Sequence, residues 1–135
     1  MVISVHSLRR LALAAAALFA LTAGGCGGRS GGDPITTDEL LDRINGGSAP
    51  YVLDVRAAGE FETIRIAGAV NIPHYQLDGR ISELPDPSTE IVLVDQKGGR
   101  SRAARNILEA AGFENLRELE GHMFQWVMQK YPVEH

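Results

Sequence analysis

The sequence holds a single cysteine, Cys26, so no disulfide can form within the chain. It lacks the Gly-x-x-x-x-Gly-Lys-Ser/Thr run of a Walker loop and the Gly-x-Gly-x-x-Gly dinucleotide fingerprint, so neither of those phosphate-binding designs is expected. It has no basic cluster: 13 Lys and Arg stand against 17 Asp and Glu, a formal charge of −4, which argues against a nucleic-acid partner. Nothing repeats at a fixed period. The longest apolar run, Leu11 to Leu21, is shorter than the roughly 20 residues a membrane span needs.

That run has another reading. A basic segment ending Arg9-Arg10 leads into it, and small residues Thr22-Ala23-Gly24-Gly25 follow, the layout of an export signal over residues 1–25. Cys26 comes directly after, and the stretch resembles the lipobox at which bacterial lipoprotein precursors are lipid-modified on sulfur and cleaved, although Ala23 stands where leucine is commonest. An ordinary signal peptide cut nearby, and an uncleaved anchor, are the alternatives. On the lipobox reading the only cysteine sulfur becomes a thioether to diacylglycerol, with palmitate as the expected acyl chain, and the mature protein has no thiol. Removing the leader also removes Arg9 and Arg10, so 13 − 2 = 11 basic residues face 17 acidic ones and the charge moves from −4 to −6.

Residues 26–34 are glycine-rich and polar, the composition of a flexible tether, and the folded domain is expected over 35–135. At that length one core is expected. Thr36 and Glu39 have capping-box spacing, and Thr37, Leu40, Leu41 and Ile44 recur at helical spacing before Asn45-Gly46-Gly47, which predicts a first helix. Tyr51–Val55, 69–73, Ile91–Val94 and 116–119 read as strands, with helical segments over 57–62, 74–81, from Ser101 to a stop at Gly112, and over 123–130. Strands alternating with helices imply an α/β fold, a mainly parallel sheet with helices on both faces.

Ligands of open α/β sheets collect at the carboxyl ends of the strands. Asp95, Gln96, Lys97, Gly98, Gly99, Arg100 and Ser101 stand at such a point, and glycine-bearing turns there can aim successive amides at an anion. The cradle is supplied with its own anion, Asp95.

Ordered signposts run from Ile35 to Val133: Leu53-Asp54-Val55-Arg56 with Glu60-Phe61, Ile66 to Pro73, the Asp95 loop, Ala111-Gly112-Phe113, Leu119-Glu120-Gly121 with Trp126, and Tyr131-Pro132-Val133. In these the chain resembles the rhodanese-like domains, a family of sulfurtransferases structurally akin to dual-specificity cell-cycle phosphatases. The family loop reads Cys-x-x-Gly-x-Arg-Ser, its thiolate carrying a sulfane sulfur. Gly98, Arg100 and Ser101 match it, and Asp95 falls on the nucleophile. Ile64-Arg65-Ile66-Ala67-Gly68-Ala69 departs from Gly-His-Ile-Pro-Gly-Ala, and His122 replaces a second glycine after Gly121, so Arg65 and His122 are expected at the pocket rim. The resemblance implies structural roles for Asp54 and Arg56; Trp126 reads as a core residue.

A carboxylate cannot carry an exchangeable persulfide sulfur. The expectation is therefore no catalytic residue and no cofactor, with Asp95 bound by the loop amides and Arg100. The reading is an exported, lipid-anchored binding or scaffold module at the cell envelope, facing the periplasm or exterior. Its expected partners are the membrane through Cys26 and an envelope protein or small anion. The alternatives are a sulfurtransferase working by another route, an aspartate-based phosphatase, and a base–orienter pair of His122 and Asp95. A metal on His74, His122 and Asp95 matches no compact zinc spacing.

Overall fold

The computed structural model describes residues 32–135. The expected leader, Cys26 and the tether as far as residue 31 lie outside them. The first helix, α1 (Thr37–Asn45), forms where the capping signal placed it. Thr36 Oγ1 accepts from Glu39 N at 3.0 Å, and Asp38 and Glu39 complement the helix dipole in the first turn.

Four strands, β1 (Tyr51–Asp54), β2 (Val70–Asn71), β3 (Ile91–Val94) and β4 (Leu116–Glu118), build one parallel sheet in the order β2-β1-β3-β4. The register pairs Asp54 with Asn71 and with Val94, and Leu93 with Glu118, so the carboxyl ends of all four strands meet along one edge. The outer edge is covered as well: Gly32 N donates to Leu116 O and Ile35 N to Glu118 O, both at 3.0 Å. Within the described residues, Gly32 to Pro34 thus run beside β4 ahead of Ile35.

Successive strand residues point to opposite faces, and each face is closed by helices. Leu53, Ile91, Leu93 and Leu116 pack with Ala104 and Leu108 of α3 (Gly99–Ala110) and with Leu77 of a 3-10 helix (Leu77–Glu83). Val52, Val92 and Val94 pack with Leu40 of α1 and with Met123 and Trp126 of α4 (His122–Met128). Trp126 is core, its Nε1 donating to Pro132 O at 2.9 Å.

Several boundaries differ from the sequence expectation. Strand β2 is shorter than 69–73 because Ala69 N folds back onto Ile66 O, across a turn with Gly68 at φ 76°, and Pro73 has no N–H to continue the ladder. The helix expected over 74–81 is a 3-10 segment shifted toward its carboxyl end. α3 begins at Gly99 rather than Ser101, and α4 runs 122–128 because Lys130 turns left-handed at φ 58°.

Asp54 and Arg56 are a buried ion pair. Arg56 Nη2 donates to Asp54 Oδ2 at 2.6 Å and to Ile64 O at 2.7 Å, with side chains 1% and 0% exposed. The pair ties β1 to the segment that follows α2 (Ala58–Thr63).

Candidate functional site

β3 delivers Asp95 at the carboxyl edge of the sheet, buried to 2% exposure. One carboxylate oxygen, Oδ2, accepts from Gly98 N at 3.1 Å and Arg100 N at 2.9 Å; the other, Oδ1, accepts from Arg100 Nε at 2.6 Å. Burial alone would raise the Asp95 pKa. Hydrogen bonds from amides of the loop, Arg100 N among them, with the Arg100 guanidinium, outweigh that and hold it below the ordinary carboxylate value.

Arg100 faces a second carboxylate that the sequence reading assigned no role. Glu60 of α2 takes Arg100 Nη1 at 2.5 Å and Nη2 at 3.0 Å, a bidentate pair. The Arg100 hydrogen bond lowers the Glu60 pKa against a smaller effect of burial, and the Arg100 pKa is raised, first by Glu60 and then by Asp95. Glu60 also accepts from Ala57 N at 3.1 Å; Ala57 has no side-chain acceptor, so only this reciprocal half of a capping box forms. The signal for Glu60 was its place beside Phe61 in the signposts, but nothing local to it tells which cation it meets.

The loop turns at Gly98, at φ 101°, where a Cβ would lie 2.8 Å from His122 Nε2. Gly99 is already helical and has open space beside it, so of the two glycines only Gly98 is required. His122 sits over this turn, buried and itself left-handed at φ 50°. Its Nδ1 accepts the Asp95 backbone N–H at 3.2 Å, which puts the proton of the neutral ring on Nε2. Burial lowers the His122 pKa, with Asp95 and Glu118 acting against it. The base–orienter pairing of His122 with the Asp95 carboxylate does not form: Nδ1 faces the Asp95 backbone amide, and Nε2 lies 3.9 Å from Glu118 Oε2.

Ser101 Oγ lies 2.9 Å from Gly98 O and 3.1 Å from Glu118 Oε2, tying the start of α3 to the loop and to β4. Gln96 O accepts from Phe124 N at 3.3 Å, and Lys97 is exposed with Nζ 5.5 Å from the Phe124 ring. Arg65 is elsewhere occupied: it bridges to Glu134, bonds His135 O at 3.0 Å, and stacks 5.3 Å over Phe61. It makes no hydrogen bond to the Asp95 loop. Among the described residues no three His, Asp or Glu side chains gather as a metal site.

Residues 36–129 match the "Rhodanese-like domain" family. This chain belongs to that family. The rhodanese-like assignment is echoed by curated sulfurtransferases. The "Probable adenylyltransferase/sulfurtransferase MoeZ" of Mycobacterium tuberculosis is 32% identical over 103 residues, covering 75% of this chain and 26% of that protein. "Thiosulfate sulfurtransferase 18" of Arabidopsis thaliana is 35% identical over 100 residues, covering 64% and 73%. The chain thus spans about a quarter of the mycobacterial relative's length. Among solved rhodanese-like folds, a rhodanese-related protein from Thermoplasma volcanium superposes with TM-score 0.66 at 30% identity, covering 76% of this chain and 98% of that one. A protein from Lactobacillus plantarum gives TM-score 0.68 at 35% identity, covering 76% and 87%.

Proposed function

We propose that this rhodanese-like domain is a non-catalytic binding or scaffold module of the cell envelope, with Asp95 standing where sulfurtransferases of the family carry their nucleophilic cysteine. One observation carries the reading: the Asp95 carboxylate is buried and already holds three donors of the loop. A sulfurtransferase loop must leave those donors to a transferring sulfur and its anionic donor. Here an internal anion takes them, and the fixed charge repels a second one. Oxygen does not carry a sulfane sulfur as an exchangeable persulfide, and Arg100 is shared by two carboxylates.

The leader-like residues 1–25 and the lipobox-like run before Cys26 support export and acylation at Cys26. The domain then works as a tethered module, facing the periplasm or exterior. Mass spectrometry of the mature amino terminus checks this: an acylated Cys26 is expected, and an unmodified terminus elsewhere defeats it.

The catalytic question is tested by thiosulfate-to-cyanide sulfur transfer, with Cys26→Ser in every sample to remove the stray thiol. No turnover is expected for that chain, and measurable turnover is expected on adding Asp95→Cys. Turnover without the new cysteine, well above that of an Arg100→Ala variant, would overturn the reading.

A further inference from the structure

α4 exposes three apolar side chains beside one polar one, Gln125. Phe124, Val127 and Met128, at i, i+3 and i+4, are 49%, 45% and 65% exposed, while Met123 and Trp126 bury the opposite side. This patch adjoins the Asp95 loop through the Gln96 O to Phe124 N bond and the Lys97 contact with the Phe124 ring. Lys130, also exposed, stands two residues past Met128.

Charge singles out the same place. The described residues carry all 17 acidic residues and 13 − 3 = 10 basic ones, since Arg9, Arg10 and Arg29 precede them. Seven of those ten, Arg43, Arg56, Arg65, Arg80, Arg100, Arg105 and Arg117, are in ion pairs. Among the described residues that leaves Lys97, Arg102 and Lys130 without an acidic partner, and two of the three flank the apolar face. On an acidic domain, unpaired cations beside exposed Phe, Val and Met have the make-up of a surface for anionic lipid.

We propose that the partner of the loop face is an anionic lipid bilayer, docked by Phe124, Val127 and Met128 with Lys97 and Lys130 at its edges. The inference rests on acylation of Cys26. Six residue steps separate Cys26 from Gly32, a reach of at most about 20 Å. Gly32 bonds the first residue of β4, so the tether leaves at the end of the sheet away from the loop face; in a domain of this size, with a radius of gyration of about 13 Å, that reach still lets either end meet the bilayer. A short tether supplies an effective concentration on the order of millimolar, so a weak patch is enough to orient the domain. A protein partner is less well matched: a stable interface takes about 800 Å² from each side, more than three side chains on a two-turn helix offer.

The test uses the full chain purified from membranes and reconstituted in vesicles of phosphatidylcholine and phosphatidylglycerol. With Cys26 acylated, Met128→Cys or Val127→Cys supplies the only thiol for an environment-sensitive dye. Ser88→Cys, at the opposite end of the sheet, is the control. Lipid-borne quencher should quench the dye at 127 or 128 several-fold more than at 88, and the difference should shrink in phosphatidylcholine alone or in high salt. Equal quenching at both ends, or stronger quenching at 88, with the chain still in the vesicles, overturns docking and leaves the anchor standing. Loss of the chain from the vesicles together with an unacylated terminus overturns the anchor and this proposal with it. Protection of residue 128 in native membranes but not in pure lipid assigns the face to a protein and overturns the lipid partner.

Discussion

At the scale of single residues, two buried titratable groups meet at one backbone amide. His122 holds the Asp95 N–H through Nδ1, so a proton on that nitrogen must break the bond. Its pKa is depressed, and the unfolded chain therefore takes up the proton first as pH falls. The stability His122 contributes is complete above its unfolded value of about 6.5 and is lost as pH falls below it. Asp95, also depressed, loses its contribution only at more acid pH, below about 3.9 and through its folded value. The urea midpoint is expected to fall from pH 7 to pH 5, and His122→Asn should flatten that slope. Asparagine tolerates the left-handed backbone and can offer Oδ1 to the same amide; an unchanged slope in the variant would assign the titration to another group. Sequence alone could make Asp95 an acid inside an amide loop, because glycine, arginine and serine stand at fixed offsets from it. It could not assign His122 to the backbone amide rather than the carboxylate, since that choice depends on how the β4–α4 turn lies against the loop.

At the scale of elements, legibility follows how local the determinants are. Thr36, Glu39 and the spacing of Leu40 and Ile44 sit within one segment, and α1 forms as that segment predicts. β2 does not: its two paired residues are chosen by β1, and the surrounding turn at Gly68 and Pro73 trims the rest. The Asp95 loop lies between these cases. Its shape requires Gly98, and Gly98→Ala should cost about 1–3 kcal/mol through the left-handed backbone, with the overlap on His122 adding to it. Part of that cost should disappear in a His122→Gly background, read as a coupling energy from urea denaturation of the four chains. An equal cost in both backgrounds would leave backbone strain as its only source.

At the scale of the whole molecule, the sheet divides two cores, and the buried Asp54–Arg56 pair stands at the edge where both faces meet the loops. Removing one partner strands the other charge in a dry setting, so Arg56→Ala is expected to cost about 3–5 kcal/mol, seen as a lower urea midpoint with little change in slope. The alternation of strands and helices was enough to read a two-faced parallel sheet; the closure of its outer edge was not, because Gly32 to Pro34 look like tether by composition. There Arg117 gathers the entering chain, donating to Asp33 O at 2.8 Å and Pro34 O at 3.1 Å while pairing with Glu39 and Glu90. This edge is also a mechanical joint. A pull on the amino-terminal chain along the strand direction would load the Gly32 and Ile35 bonds to β4 together, in shear, with the Arg117 fork sharing the force. A sideways pull would peel them one at a time, so the joint resists drag best when the chain leaves along the sheet.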